Sequence, residues 1–146
     1  MQMNILGPVE SGMSFDARTK WHIQWALNYA DSTHDCTVSS VKVNLDIETL
    51  FPNWPDSQNA NTTLQNQWSN YLVSLHSHEQ NHAEHGKRAA EDVEAALLHL
   101  PTMENCQLLV ATANADAERI ITEYQMKDSQ YDADTQHGRK EGVSFP

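Results

Sequence analysis

One segment limits the possible folds of this chain more than any other. Across residues 62–99, apolar side chains return with the period of a helix: Leu64, Trp68, Tyr71, Leu72 and Leu75, then Ala89, Val93, Ala96 and Leu97. Asn61 or Thr62 is placed to cap its start, and Pro101 stands just past its end. Gly86 lies inside the segment and marks a bend or a close helix contact. A second helical pattern covers residues 103–129, with Leu109, Ala113, Ile120 and Tyr124 on one stripe.

The segment before these helices has a different period. Trp21, Ile23, Trp25 and Leu27 share one parity over residues 20–30, as do Val41, Val43, Leu45 and Ile47 over residues 36–48. Two half-buried strands joined by the polar turn 31–35 predict an antiparallel hairpin. Gly7-Pro8 and Ser11-Gly12 read as turns, the proline-rich stretch 51–60 as a loop, and the polar stretch from Tyr131 onward as extended or looped. The expected fold is α+β, a small antiparallel sheet packed on two long helices. The length of 146 residues suits a single domain spanning 1–146.

The first helix carries His78-Glu79-Gln80-Asn81-His82. Residues i and i+4 stand one above the other on a helix, about 6 Å apart, so two imidazoles can share one metal ion. His78 and His82 also fall on the apolar stripe, where an uncompensated imidazole needs a reason. Glu79, set to one side, can take a proton from a water activated by Zn²⁺ and pass it to a leaving amine. This pattern predicts hydrolysis of a peptide bond, with Glu79 as the general base.

A catalytic zinc needs a third protein ligand. The metzincin continuation requires Gly at position 85 and His at 88, and the chain has His85 and Arg88, which excludes that class. On the second helix, Glu123 is the geometric candidate and Asp116 a supporting carboxylate. His137, beside Gly138, is a further candidate. His76 points to the far side of the helix, His85 suits a rim position or solvent, and His99 suits the negative end of the helix dipole. His22 and His34 read as ordinary strand and turn residues.

Composition narrows the partners. The chain has 9 Lys plus Arg against 20 Asp plus Glu, for a net charge of −11, which repels a nucleic-acid backbone. No apolar run is long enough to span a membrane. Cys36 and Cys106 are far from any metal-binding spacing and form either one disulfide or two buried thiols. The start Met1-Gln2-Met3-Asn4 shows no signal peptide.

With these residues in view, the chain resembles a bacterial family catalogued as domain of unknown function 922, described as predicted secreted zinc-dependent proteases. The resemblance rests on Leu6-Gly7-Pro8, the run from Phe15 to Trp25, Cys36 and Cys106, and the loop Phe51-Pro52-Asn53-Trp54-Pro55. It continues through Trp68, the 78–82 motif and the tail from Tyr131 to Gly142. It implies a zincin-like helix with His78, Glu79 and His82 as site residues. It also implies His137 as third ligand ahead of Glu123, with Asp132 orienting a ligand histidine. A Cys36–Cys106 bridge and a periplasmic or extracellular location follow from the same likeness. Family members usually carry an export signal and an extra strand before the Leu6 segment, and the likeness leads one to expect both to be missing or cut short in the sequence given. A peptide or protein is the expected substrate. The competing readings are a non-catalytic zinc-binding module and a helical protein-interaction domain.

Overall fold

The computed structural model describes residue 5 and residues 7–10, 13–14 and 16–146. The start Met1–Asn4, the turn signal Ser11-Gly12, and Leu6 and Phe15 of the resemblance motifs lie outside the described residues.

The element order is β1 (Val9–Glu10), β2 (Met13–Ser14), β3 (Arg18–Asp31), β4 (Cys36–Leu50), α1 (Thr62–Leu98) and α2 (Cys106–Thr135). Single 3-10 turns occur at Ser57–Asn59 and Arg139–Glu141. β1 pairs antiparallel with β2, with Val9 opposite Ser14. β3 and β4 form the expected hairpin. Thr19 bonds Thr49 and Asn28 bonds Ser40, so a step of nine along β3 is matched by nine back along β4, as an antiparallel register requires. A two-stranded antiparallel sheet with two long helices makes the fold α+β.

The chain forms two compact units, one of residues 1–20, 47–83 and 129–146, the other of residues 21–46 and 84–128. In the second unit, Ile23, Val93, Leu97 and Ile120 are buried together with Ala89, Ala113 and Ala117. Trp21, Trp25 and Leu27 of β3 and Val41, Val43 and Leu45 of β4 pack on this cluster, because alternate residues of each strand face one side. The fully buried alanines leave little between the two helix backbones. A Cys36–Cys106 disulfide closes a separation of 70 residues, which by chain entropy stabilises the fold by about 4 kcal/mol.

Each end of α2 differs from the periodicity reading. Met103 exchanges backbone hydrogen bonds with Cys36, so it is extended, and the helix starts at Cys106. Asn105 caps it, its Oδ1 accepting the Leu108 N–H. At the other end the helix runs on to Thr135 and takes Tyr131 and Asp132 into its last turns. The stretch is polar but holds no residue that breaks a helix before Gly138.

The first unit is built on aromatic contacts. Trp54, Trp68, Tyr71, Leu75 and Val143 are buried together. Phe145 meets the rings of Trp54, Trp68 and Tyr71 at 5.4, 5.2 and 5.6 Å, which ties the C-terminal segment to α1. Asn61 caps α1, with Oδ1 accepting the Leu64 N–H.

Gly86 marks a close contact in the second unit. A Cβ there would stand 2.7 Å from Cγ of Trp21. Gly86→Ala gains about 1 kcal/mol of helix propensity, but overpacking against an indole costs about 1–3 kcal/mol. Urea denaturation should show a net loss of about 1 kcal/mol; a more stable variant would mean that Trp21 moves aside freely.

Candidate metal centre

Three elements of the first unit build the centre. α1 carries His78, Glu79 and His82, which are 3%, 5% and 6% exposed. The last turns of α2 carry Tyr131 and Asp132, and the 3-10 turn that follows carries Glu141.

The turn between α2 and Glu141 is sharp. Gln136, His137 and Gly138 take φ of 54°, 57° and 87°, three left-handed residues in succession. The His137 N–H donates to the Asp132 carbonyl at 2.8 Å, and the Gly138 N–H to Thr135 Oγ1 at 3.1 Å, closing the helix. A Cβ on Gly138 would lie 2.7 Å from Val143 Cγ2 and 3.1 Å from His78 Cγ. Glycine thus lets this turn lie directly against the His78 ring.

Nε2 of His78 and Nε2 of His82 are 3.2 Å apart, and each is 2.9 Å from Oδ1 of Asp132. These three atoms form a converging group suited to a metal ion. On its other side, His78 Nδ1 is 2.7 Å from Oε1 of Glu141. The Tyr131 hydroxyl donates to Oε2 of Glu141 at 2.6 Å and accepts from Asn81 Nδ2 at 2.8 Å. The Tyr131 ring stacks on His78, with centroids 4.7 Å apart.

The donor chemistry fits a cation. A neutral His78 that donates its Nδ1–H to Glu141 has a bare lone pair on Nε2, aimed at the Asp132 carboxylate. A second proton on His78 or an N–H donated by His82 Nε2 eases that repulsion, and a metal ion shared by all three atoms removes it. Three donors about 2.1 Å from one ion at tetrahedral angles stand about 3.4 Å apart, close to the separations found. The charges of the metal-free site follow the same geometry. Burial pushes the His78 pKa down, but the bonds to Asp132 and Glu141 outweigh it and raise the value above 6.5. Burial raises the Asp132 pKa, but the bonds from His78 and His82 hold it well below the usual carboxylate range. For Glu141, burial likewise raises the pKa, and the bonds from Tyr131 and His78 bring it below normal. Burial and the bond to Glu141 push the Tyr131 phenol up to about 12.

Glu79 is held from the hairpin. Thr19 Oγ1 donates to Oε2 of Glu79 at 2.5 Å. With that proton committed, Thr49 is the donor in its 3.1 Å bond to Thr19.

The remaining candidates lie elsewhere. His137 is 67% exposed, with Nδ1 3.8 Å from Oδ2 of Asp132, and it does not enter the converging group. Asp132, expected to orient a ligand histidine, is itself the third converging residue. Glu123 and Asp116 belong to the second unit, where Glu123 pairs with Arg119 at 3.0 Å and both side chains are exposed. His85 is paired with Asp128 at 2.5 Å in that unit. His76 is exposed and stacks on Phe51, and His99 Nδ1 bonds the Ala95 carbonyl near the end of α1. Glu141, Tyr131, Asn81 and Thr19 belong to the site without any role that the sequence alone assigns them. The one local signal for Glu141 is an acidic residue bracketed by Gly138 and Gly142.

Residues 1–138 match the family model described as "Bacterial protein of unknown function (DUF922)". The chain belongs to the DUF922 family. The match takes in His78, Glu79, His82, Tyr131 and Asp132, whereas Glu141 lies beyond it. No curated protein and no solved structure matches this DUF922 chain.

Glu141 fixes the His78 ring from behind the donor group, so Glu141→Gln should weaken divalent-metal binding by roughly 10- to 100-fold. A competition titration against a chelating dye measures this; unchanged affinity would show that the Tyr131 stack alone holds the ring.

Proposed function

We propose that this DUF922 protein is a zinc-dependent peptidase in which His78, His82 and Asp132 hold the metal and Glu79 is the general base. One observation carries the reading. Three donor atoms from two helices converge beside a buried glutamate that occupies position i+1 of the helix pair. The donor set alone suits several divalent transition metals; the glutamate favours zinc and hydrolysis.

When bound, the metal polarises the scissile carbonyl and makes water more acidic. Glu79 accepts the proton of the attacking water and delivers it to the leaving amine nitrogen. Thr19 holds one carboxylate oxygen of Glu79, which fixes the direction from which the other can work. Glu141 keeps the Nδ1–H tautomer of His78, so that Nε2 faces the metal position. Tyr131 donates its hydroxyl hydrogen bond to Glu141 and so holds that carboxylate.

The alternative, a metal-binding module that cuts nothing, needs no proton acceptor beside its first ligand. Three protein donors also match catalytic zinc better than closed four-donor structural zinc. The disulfide fits a periplasmic or extracellular protein, where such bonds persist. Among the described residues, no helix is long and apolar enough to cross a membrane.

Metal analysis of the purified protein should find about one zinc per chain. Glu79→Gln should retain the metal and the fold and lose at least roughly 10²-fold in peptide hydrolysis. A Glu79→Gln protein as active as wild type would sink the mechanism while leaving the metal site intact.

The choice of third ligand is tested separately. Asp132→Ala should lower zinc affinity by more than roughly 100-fold, and His137→Ala by much less. Titration of both variants with the reverse order would give the third position to His137.

A further inference from the structure

The second unit holds a cleft of about 590 Å³, lined entirely from residues 21–46 and 84–128. Gln24 and Trp25 come from β3, Lys42 and Asn44 from β4, and Asn114 and Glu118 from α2. The hairpin register sets Gln24 opposite Asn44, so their amides are cross-strand neighbours. Asn114 and Glu118 are one turn apart on one face of α2. Trp25 is half-buried and packs on the core cluster, and its indole N–H donates to Asn114 Oδ1 at 2.9 Å. That bond fixes the indole and the amide together. It uses an acceptor of Asn114 and leaves the amide N–H donors for another partner.

Little of the polar lining is used by the fold. The side chains of Gln24, Lys42, Asn44 and Glu118 are exposed and, among the described residues, have no hydrogen bond or ion pair. Lys42 and Glu118 carry opposite charges, so the lining has no net charge. An anion drawn by Lys42 meets Glu118, and a cation drawn by Glu118 meets Lys42. Sites for apolar ligands are lined mostly by apolar side chains, whereas here the indole is the one large apolar group. The matching ligand is therefore uncharged, rich in groups that both donate and accept, and apolar on one face. Hydroxyls meet the first demands, because a planar amide or carboxylate can engage two neighbouring hydroxyls. The C–H face of a pyranose ring meets the last, set against an indole.

We propose that this cleft is a saccharide-binding site that takes a mono- or disaccharide unit. Trp25 and Asn114 form its fixed part, and Gln24, Asn44 and Glu118 bond the hydroxyls. No residue of the metal centre lines the cleft, so the proposal does not depend on the peptidase reading. Each hydrogen bond made here replaces one to water and gains little, so a single saccharide unit should bind with a Kd on the order of 1 mM.

The test titrates the full chain with cellobiose, maltose and N,N′-diacetylchitobiose, each to about 20 mM, and with the zwitterion glycylglycine. Binding is followed by ¹H–¹⁵N chemical shifts. At least one disaccharide should bind and shift the indole N–H of Trp25 and the side-chain amides of Asn114 and Gln24. Asn114→Ala and Glu118→Ala, both at exposed positions, should each weaken that disaccharide by roughly tenfold. Glu118→Gln keeps a planar group that accepts, and should stay within about threefold of wild type. No binding by any of the three disaccharides, or shifts mapping away from Trp25 and Asn114, would overturn the proposal. So would glycylglycine binding more tightly than every disaccharide, or Glu118→Gln losing as much affinity as Glu118→Ala, since either would give the cleft to a charged ligand. Zinc content and peptide hydrolysis of the same variants should match wild type, which keeps this outcome separate from that of the metal centre.

Discussion

His78 stands between two carboxylates. Asp132 approaches Nε2 from the last turns of α2, and Glu141 approaches Nδ1 from the 3-10 turn beyond it. A neutral imidazole has one N–H and can donate to only one of the two. A second proton on the ring, an N–H donated by His82 Nε2 3.2 Å away, or a metal ion satisfies the other edge. Several features of the first unit serve this arrangement. The left-handed turn at 136–138 reverses the chain so that Asp132 and Glu141 reach opposite edges of one ring. Gly138 allows the approach, and Phe145 secures the segment against Trp54, Trp68 and Tyr71.

Helix geometry explains why the pair on α1 is buried together. A four-residue spacing puts His78 and His82 on one face, and the residue between their turns that follows His78 points aside. Glu79 is therefore next to the donors without competing for their position. Its partner Thr19 comes from β3, and Thr19 in turn bonds Thr49 of β4. The hairpin thus contributes to the site through two hydroxyls, a weak local signal that only the folded register brings to bear.

The sequence makes the periodic parts legible. Strand parity locates the inner faces of β3 and β4, and the 3.6-residue stripe locates α1 almost to the residue. The motif at 78–82 is legible because its geometry is internal to one helix. What depends on the path of a turn is not. Polarity after Ser129 suggests a loop, yet nothing there breaks the helix, and so Asp132 projects from a regular helical turn. His137 looks like a ligand because it sits beside a glycine. In the structure its own left-handed backbone carries the ring outward, to 67% exposure. Glu141 lies 63 positions from His78, and no local pattern could connect the two.

The charge balance also sets how protons and metal compete. The raised pKa of His78 means that, in the metal-free protein, its charged form stabilises the fold fully below 6.5. That contribution is lost as pH rises through the raised value. Asp132 and Glu141 act in the opposite sense, contributing above their ordinary values of 3.8 and 4.5 and losing that contribution as pH falls through their depressed values. Above the His78 pKa the metal-free site therefore has two carboxylates facing a neutral His78. A divalent ion restores the missing charge there, and it binds without displacing a proton from Nε2. Protons and a metal ion thus satisfy the same donor atoms, and the two compete for the site.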